Sequence, residues 1–209
     1  MKDLAAVLML GAFLVGAAGC AHEPMPHVAI DLSSPKSAAV SYLRAMSVGD
    51  LDSLKASTVG TAEQRKPAAA YATMIRGMRR YEHAIVTHFG NDAMRDDVEL
   101  KQKLMELADD RIERAQQGSV QENETEAMVS PGLNGRALPR RSPIILKKDK
   151  GVWKVDLAQT AVRDETLSPE AGERNQAVGN ALLKLARDIE HGRYKTYDQM
   201  QRDADAGMP

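Results

Sequence analysis

The chain has 209 residues, with 28 basic and 29 acidic side chains and a net charge near −1. That balance, with one tryptophan, five tyrosines and two phenylalanines, excludes nucleic-acid binding through a strongly basic, aromatic-studded face. It also disfavours an aromatic-lined ligand pocket, and the single cysteine leaves neither an internal disulfide nor a thiolate metal cluster available.

The N-terminus opens with Lys2, partly offset by Asp3, and Leu4 to Val15 is almost wholly apolar. This is the length of a signal-peptide apolar region and is short for a bilayer span. Gly16-Ala17-Ala18-Gly19 then precede Cys20. The stretch resembles the lipobox of bacterial lipoproteins, in which small residues precede a cysteine that is acylated and becomes the new N-terminus. Ala17 departs from the leucine that the family favours three positions before the cysteine. The resemblance implies cleavage before Cys20 and lipid on its sulfur, and Ala21 in place of an aspartate directs such a protein towards an outer membrane. Two alternatives stay open. An ordinary secretory signal would leave Cys20 as an unpaired thiol, and a retained transmembrane anchor would need a longer apolar run. Pro24 and Pro26 resist helix and no apolar period follows, so residues 20–33 are expected to form a flexible tether. About 190 residues remain after cleavage, enough for one domain with a real core.

Ser34-Pro35 predicts an N-cap with proline at the first helical position. Ala39, Tyr42, Leu43 and Met46 share one face of that helix. Gly49 closes it, and Asp50 caps a short helix carrying Leu51 and Leu54. Thr61 and Gln64 have capping-box spacing ahead of a long helical segment reaching Gly90, with Pro67 expected to kink or restart it. Its stripe is Tyr71, Met74, Met78, Tyr81 and Ile85, with Phe89 near the end; a Met-rich stripe of this kind is core or, less commonly, a partner groove. Asn91 or Asp92 is expected to cap a third long helix running to Gln117. Its apolar residues are Met94, Val98, Met105, Ala108 and Ile112, with Leu104 and Leu107 alongside and Gly118 as its stop. The two long helices read as an antiparallel hairpin.

The period then changes to strands. Val120 begins one, and Thr125, Ala127 and Val129 alternate as a second. Ser130 to Arg136 reads as a loop. Ile144 to Lys147 and Val152 to Leu157 form a hairpin about Asp149-Lys150-Gly151, with Trp153, Val155 and Leu157 on one face. Ser168-Pro169 repeats the cap-plus-proline start. Val178, Ala181, Leu182, Leu185 and Ile189 then define an amphipathic helix ending at Gly192, and Thr196 caps a last short turn before a frayed tail at 199–209.

Three features together resemble bacterial members of the nuclear-transport-factor-two-like superfamily, the cystatin-like α+β cone that includes the SnoaL-like proteins. They are Ser34-Pro35-Lys36-Ser37-Ala38-Ala39 leading through Tyr42-Leu43 to Val48-Gly49-Asp50, the hairpin Lys148 to Leu157, and Gly192-Arg193-Tyr194-Lys195-Thr196. The resemblance covers roughly residues 34–60 and 140–198, and residues 61–117 depart from it through their long helices. It implies Trp153 packed inside a curved sheet. The superfamily holds both enzymes and non-catalytic modules, so it does not choose a function.

The chemistry-bearing residues form no convergent set. His22 and His27 fall in the tether. His83 and His88 lie five apart, not at the four-residue spacing of a zinc pair. His191 sits at a helix C-terminus, where it caps. Asp96-Asp97 and Asp109-Asp110 are adjacent helix positions that diverge. Asp156 would sit where SnoaL-like enzymes place an acid–base residue, but it alternates with Trp153 and Val155 and points from their face. No nucleophile elbow, S-x-x-K set or phosphate loop is present. Arg76, Arg79 and Arg80, and separately Arg136, Arg140, Arg141, Lys147 and Lys148, are basic clusters, read as solvated rims or as contacts to anionic envelope polymers or lipid headgroups.

The expected fold is α+β: two long helices with N- and C-terminal helices against a small antiparallel sheet, a divergent cystatin-like cone over residues 34–198. The expected function is a non-enzymatic binding or scaffolding module, tethered to membrane lipid through acylated Cys20, with an envelope protein or anionic polymer as partner and no cofactor, metal or catalytic residue. The rival is a small-molecule-binding or isomerase- or cyclase-like relative of the SnoaL type. A third reading, pairing through the Met-rich helices, predicts an exposed apolar patch from Tyr71 to Phe89.

Overall fold

The computed structural model describes the backbone of residues 27–94, 98–137 and 142–207. Seven α-helices occur among these residues: α1 (Pro35–Val48), α2 (Leu51–Ala56), α3 (Ala62–Phe89), α4 (Val98–Gln117), α5 (Leu157–Ala161), α6 (Pro169–Glu190) and α7 (Tyr197–Gly207). Interleaved with them are seven strands: β1 (Thr58–Val59), β2 (Ser119–Glu122), β3 (Glu126–Ser130), β4 (Gly132–Leu133), β5 (Arg136–Ala137), β6 (Ile144–Asp149) and β7 (Val152–Asp156). The fold is α+β, as expected.

The helix starts follow the predicted capping chemistry. Ser34 Oγ accepts from the Ser37 amide and Ser168 Oγ from that of Ala171, each with proline at the first helical position. Thr61 and Gln64 form the reciprocal box: the Gln64 amide donates to Thr61 Oγ1 and the Thr61 amide to Gln64 Oε1. Pro67 does not end α3, which runs unbroken to Phe89. A 3₁₀ turn at Asn91–Met94 separates it from α4. Of the apolar face predicted for α4, Ala108 and Ile112 are half-buried; the side chains of Met94, Val98, Leu104, Met105 and Leu107 lie outside the described residues.

The main sheet has the order β1-β7-β6-β3-β2. Its four longer strands are antiparallel, and β1 adds a parallel edge through Thr58 opposite Val155. The β6–β7 turn carries Lys150 at φ 52 and Gly151 at φ 87, the type I′ geometry that matches strand twist. The predicted loop at 130–136 contains a second, smaller turn of this kind: β4 and β5 pair about Asn134 (φ 51) and Gly135 (φ 77). Trp153 and Val155 are buried on one face. β7 stops at Asp156, so Leu157 joins the core from the first turn of α5.

The main core joins α1, the sheet and the N-terminal half of α3; Tyr42, Leu146, Leu157 and Leu167 are its largest sealed members. A second cluster joins the C-terminal halves of α3 and α6 to α7, through Ile85, Ala186, Ile189, Tyr194 and Met200.

Three expectations need correction. First, α3 does not pair chiefly with α4. It lies along α6, while α4 lies against α1. Pro67, Met74 and Gly77 meet Gly172, Gly179 and Leu182 in the same order, so α3 and α6 run parallel. The approach is at backbone level: a Cβ placed on Gly77 would lie 2.7 Å from Gly179 O, and one on Gly179 would lie 2.8 Å from Met74 N. With Gly179 in the seam, its neighbour Val178 is turned outward and exposed. Arg80 seals the far end by a two-pronged ion pair to Glu190, at 2.9 and 2.6 Å.

Second, the C-terminus does not fray after a short turn. It forms α7, which buries Met200 and Ala204 against Tyr81 and Phe89; Phe89 and Tyr197 meet edge to face at 6.2 Å. Third, residues 27–33 are not a free tether. The Val28 amide donates to Asp50 Oδ2 (2.9 Å), the Asp31 amide to Ser41 Oγ (2.9 Å) and the Trp153 amide to Leu32 O (3.0 Å). An irregular segment needs partners for its backbone groups, and these come from side chains and a strand far along the chain.

The helix seam carries a direct prediction. Gly179→Ala places its methyl against the Met74 and Thr73 backbone, which has no flexible end to give way. Chemical denaturation should show a loss of about 1–3 kcal/mol, whereas Asn180→Ala, on the exposed side of the same helix, should stay within about 0.5 kcal/mol.

Candidate functional site

A cleft of about 210 Å³ lies between α4, the start of β6 and the loop after α5. Leu43 and Ile144 supply its apolar wall, and Arg111, Arg114, Ser142, Asp164 and Thr166 its polar rim. Arg111 and Arg114, three apart, share a face of α4. Asp164 is fixed by its own turn: one carboxylate oxygen accepts from the Thr166 amide (3.0 Å) and hydroxyl (2.6 Å), and the other from Arg111 Nη2 (2.7 Å). Arg114 Nε donates to Asp110 at 2.5 Å. Ser142 Oγ donates to the Arg163 carbonyl.

Tyr42 lies behind this rim, sealed in the core with no hydrogen-bond partner for its hydroxyl among the described residues. Burial pushes its pKa far up, with the Arg111 charge opposing and Asp164 reinforcing the shift. Tyr71 responds in the same way and for the same leading reason. The set therefore holds two neutral phenols beside a guanidinium–carboxylate pair. The Tyr42 hydroxyl is sealed from the cleft, and Arg111 is already committed to Asp164. None of these residues stood out in the sequence as a set. The only local signal was Asp164-x-Thr166, an Asx-type turn.

A second, shallow groove of about 600 Å³ runs between the C-terminus of α3 and α7, lined by His88, Phe89, Lys195, Tyr197 and Gln201 among others.

The residues singled out in the sequence fall apart from these places. Cys20 and His22, with Asp96, Asp97, Arg140 and Arg141, lie outside the described residues. His83 is exposed on α3, and His88 stacks edge to face with Phe89 at 6.1 Å. His191 is the C-cap of α6, its Nδ1 2.6 Å from the Arg187 carbonyl. Asp156 caps α5, accepting from the amides of Ala158 and Gln159. Asp110 holds Arg114. In the basic clusters, Arg80 holds Glu190, Arg79 donates to Ser47 O (3.3 Å), and Lys148 lies over the Trp153 ring at 5.2 Å. The residues from Tyr71 to Phe89 form no exposed patch, because α6, α7 and the core cover the stripe.

The best-built polar site is the N-terminal attachment at Asp50. Its side chain is 8 % exposed, caps α2 through Oδ1 to the amides of Asp52 and Ser53, and holds the Val28 amide through Oδ2. His27 Nδ1 lies 3.0 Å from the same oxygen, and Ser53 Oγ donates to Val28 O. Burial alone would raise the pKa, but the hydrogen bonds from Val28 and Ser53, with His27, outweigh it and hold the carboxyl below its ordinary value.

Among the described residues no group of three or more His, Cys, Asp or Glu side chains is placed to hold a metal, and no helix is long and apolar enough to cross a membrane. Comparison with known protein families, curated proteins and solved structures finds no match.

Two outcomes test these sites. A carboxyl depressed in the folded state stabilises the fold at pH above its unfolded value, and that contribution is lost as pH falls through the folded value. Asp50→Asn should therefore cost about 1–2 kcal/mol at neutral pH, with the difference from the parent protein closing below about pH 4; denaturation across that range measures it. Tyr42→Phe removes a buried hydroxyl with no partner, so stability should be unchanged or rise by up to about 1 kcal/mol. A clear loss would instead reveal a partner held by the hydroxyl in solution.

Proposed function

We propose that this chain is an exported protein, cut before Cys20 and held on a membrane by lipid on that cysteine, whose folded part is a non-enzymatic binding or scaffolding module. The observation that carries the reading is the twelve-residue apolar run Leu4 to Val15 followed by Gly16-Ala17-Ala18-Gly19-Cys20. A run of that length suits export better than a span, and the sole thiol stands directly after the small residues where acylation needs it. The non-catalytic part of the reading is supported by commitment of the candidate groups to structure. Asp156 caps a helix, Arg111 is held by Asp164, and His191 caps α6.

One observation favours a second reading, a small-molecule site of the SnoaL-like kind: the unpartnered Tyr42 hydroxyl behind the Arg111–Asp164 cleft.

Mass spectrometry of the N-terminal peptide from membranes should find Cys20 as the first residue and acylated. Cys20→Ser should move the protein out of the acylated, membrane-bound pool. An unmodified Cys20, or an intact signal segment, overturns the anchoring reading.

A further inference from the structure

We propose that the corner where α1 meets α2 is a membrane-docking surface that lays exposed cations on anionic lipid headgroups; this rests on the anchoring of Cys20 proposed above. Only residues 20–26 separate the lipid-bearing position from the first described residue, His27. Seven residues reach at most about 25 Å when fully extended. The exit point is fixed, because His27 and Val28 are held at Asp50 and Ser53. The α1–α2 corner is therefore held within about 25 Å of the bilayer surface, closer than the tether alone holds the rest of the domain.

Cations outnumber the exposed acids around that corner, where Asp52 lies on α2 and Asp31 on the strap along α1. Arg44 and Arg79 are exposed near the C-terminus of α1, Lys55 is exposed on α2, and Arg76 flanks Gly49. Among the described residues none of these four has a carboxylate partner, and Arg79 donates only to the Ser47 carbonyl. Arg80, Arg111, Arg114, Lys154 and Arg193 are each neutralised by a carboxylate elsewhere. The exposed acid on α2 is Asp52, since Asp50 is buried and consumed by its own bonds. A lipid anchor combined with cations near the surface is a two-signal attachment, in which each cation near an anionic leaflet adds about 1 kcal/mol. The corner leads directly through Ser57 into β1, so docking there places the β1 edge of the sheet near the membrane. The β2 edge then lies four strands away, about 19 Å across the sheet.

The test uses the full lipidated protein in vesicles of phosphatidylcholine alone or mixed with phosphatidylglycerol. Acylation consumes the native thiol, so a single introduced cysteine can carry a donor dye, at Ala56→Cys on α2 or Gln121→Cys on the exposed β2 edge. An acceptor dye marks the lipid headgroups, and mass spectrometry of the same sample reads the state of Cys20. Transfer should be stronger from position 56 than from 121 in the anionic vesicles, and the difference should shrink as salt is raised. Lys55→Gln and Arg79→Gln should each lower the ratio of docked to undocked protein about fivefold. Equal transfer from both positions with Cys20 acylated overturns the docking surface and leaves anchoring intact. A difference that persists unchanged in neutral lipid overturns recognition of the headgroup charge. An unmodified Cys20 with the protein free of vesicles overturns both readings.

Discussion

Two helices far apart in sequence, α3 and α6, touch through their backbones, and the rest of the architecture depends on that contact. Side chains normally hold helix axes 8–10 Å apart. Glycines at 77, 172 and 179 remove that spacer, so carbonyls and amides of one helix meet the other directly. The seam runs from the sheet-bearing half of the molecule to the half closed by α7. At one end, Ala68 and Ala72 of α3 pack into the main core; at the other, Ala84 and Ile85 pack with Ala186, Ile189 and Met200. One long helix thus belongs to both clusters, and a shift along the seam would disturb both. The Arg80–Glu190 pair fixes the register where the glycines end, and its half-buried geometry favours it over a fully exposed pair.

A second constraint acts at the N-terminal side. Asp50 caps α2 and also receives the Val28 amide, so one buried carboxylate both starts a helix and holds the incoming chain. This double use explains why a carboxyl is tolerated at so sheltered a position: every lone pair that matters is met by an amide or by His27. Ser41 and Ser53 extend the attachment, and Leu32 reaches β7 through the Trp153 amide. The segment is a strap laid along α1.

The candidate cleft shows how much chemistry can be absorbed by structure. Arg111, Asp164 and Thr166 converge with two tyrosines nearby, but the carboxylate's bonds are all internal. Nothing in the linear order brings residues 42, 111 and 164 together, because they come from α1, α4 and a loop after the sheet. Only Asp164-x-Thr166 had a local pattern. The histidines were more legible. His191 was readable as a helix-terminal cap because dipole and spacing are local properties, and that is where it sits. The Gly77–Gly179 contact was hidden for the opposite reason. An isolated glycine in a helical pattern reads as a weak point, and its value appears only when another glycine faces it.

By itself the sequence determined what depends on a few adjacent residues. Ser34-Pro35, Thr61 to Gln64 and Ser168-Pro169 dictate helix starts because capping is local. Asp149-Lys150-Gly151 dictates the hairpin because only certain residues accept the positive φ of its turn. Alternation in Glu126–Ser130 and Val152–Asp156 dictates which strand faces are buried. Tertiary structure decided which helices pair, whether residues 27–33 stay free, and whether the C-terminal segment folds. Each of these is settled by a partner remote in sequence: Gly179 for Gly77, Asp50 for Val28, and Tyr81 for Met200. A periodic pattern reports that a face will be buried, but the partner that buries it is set by shape and distance in three dimensions.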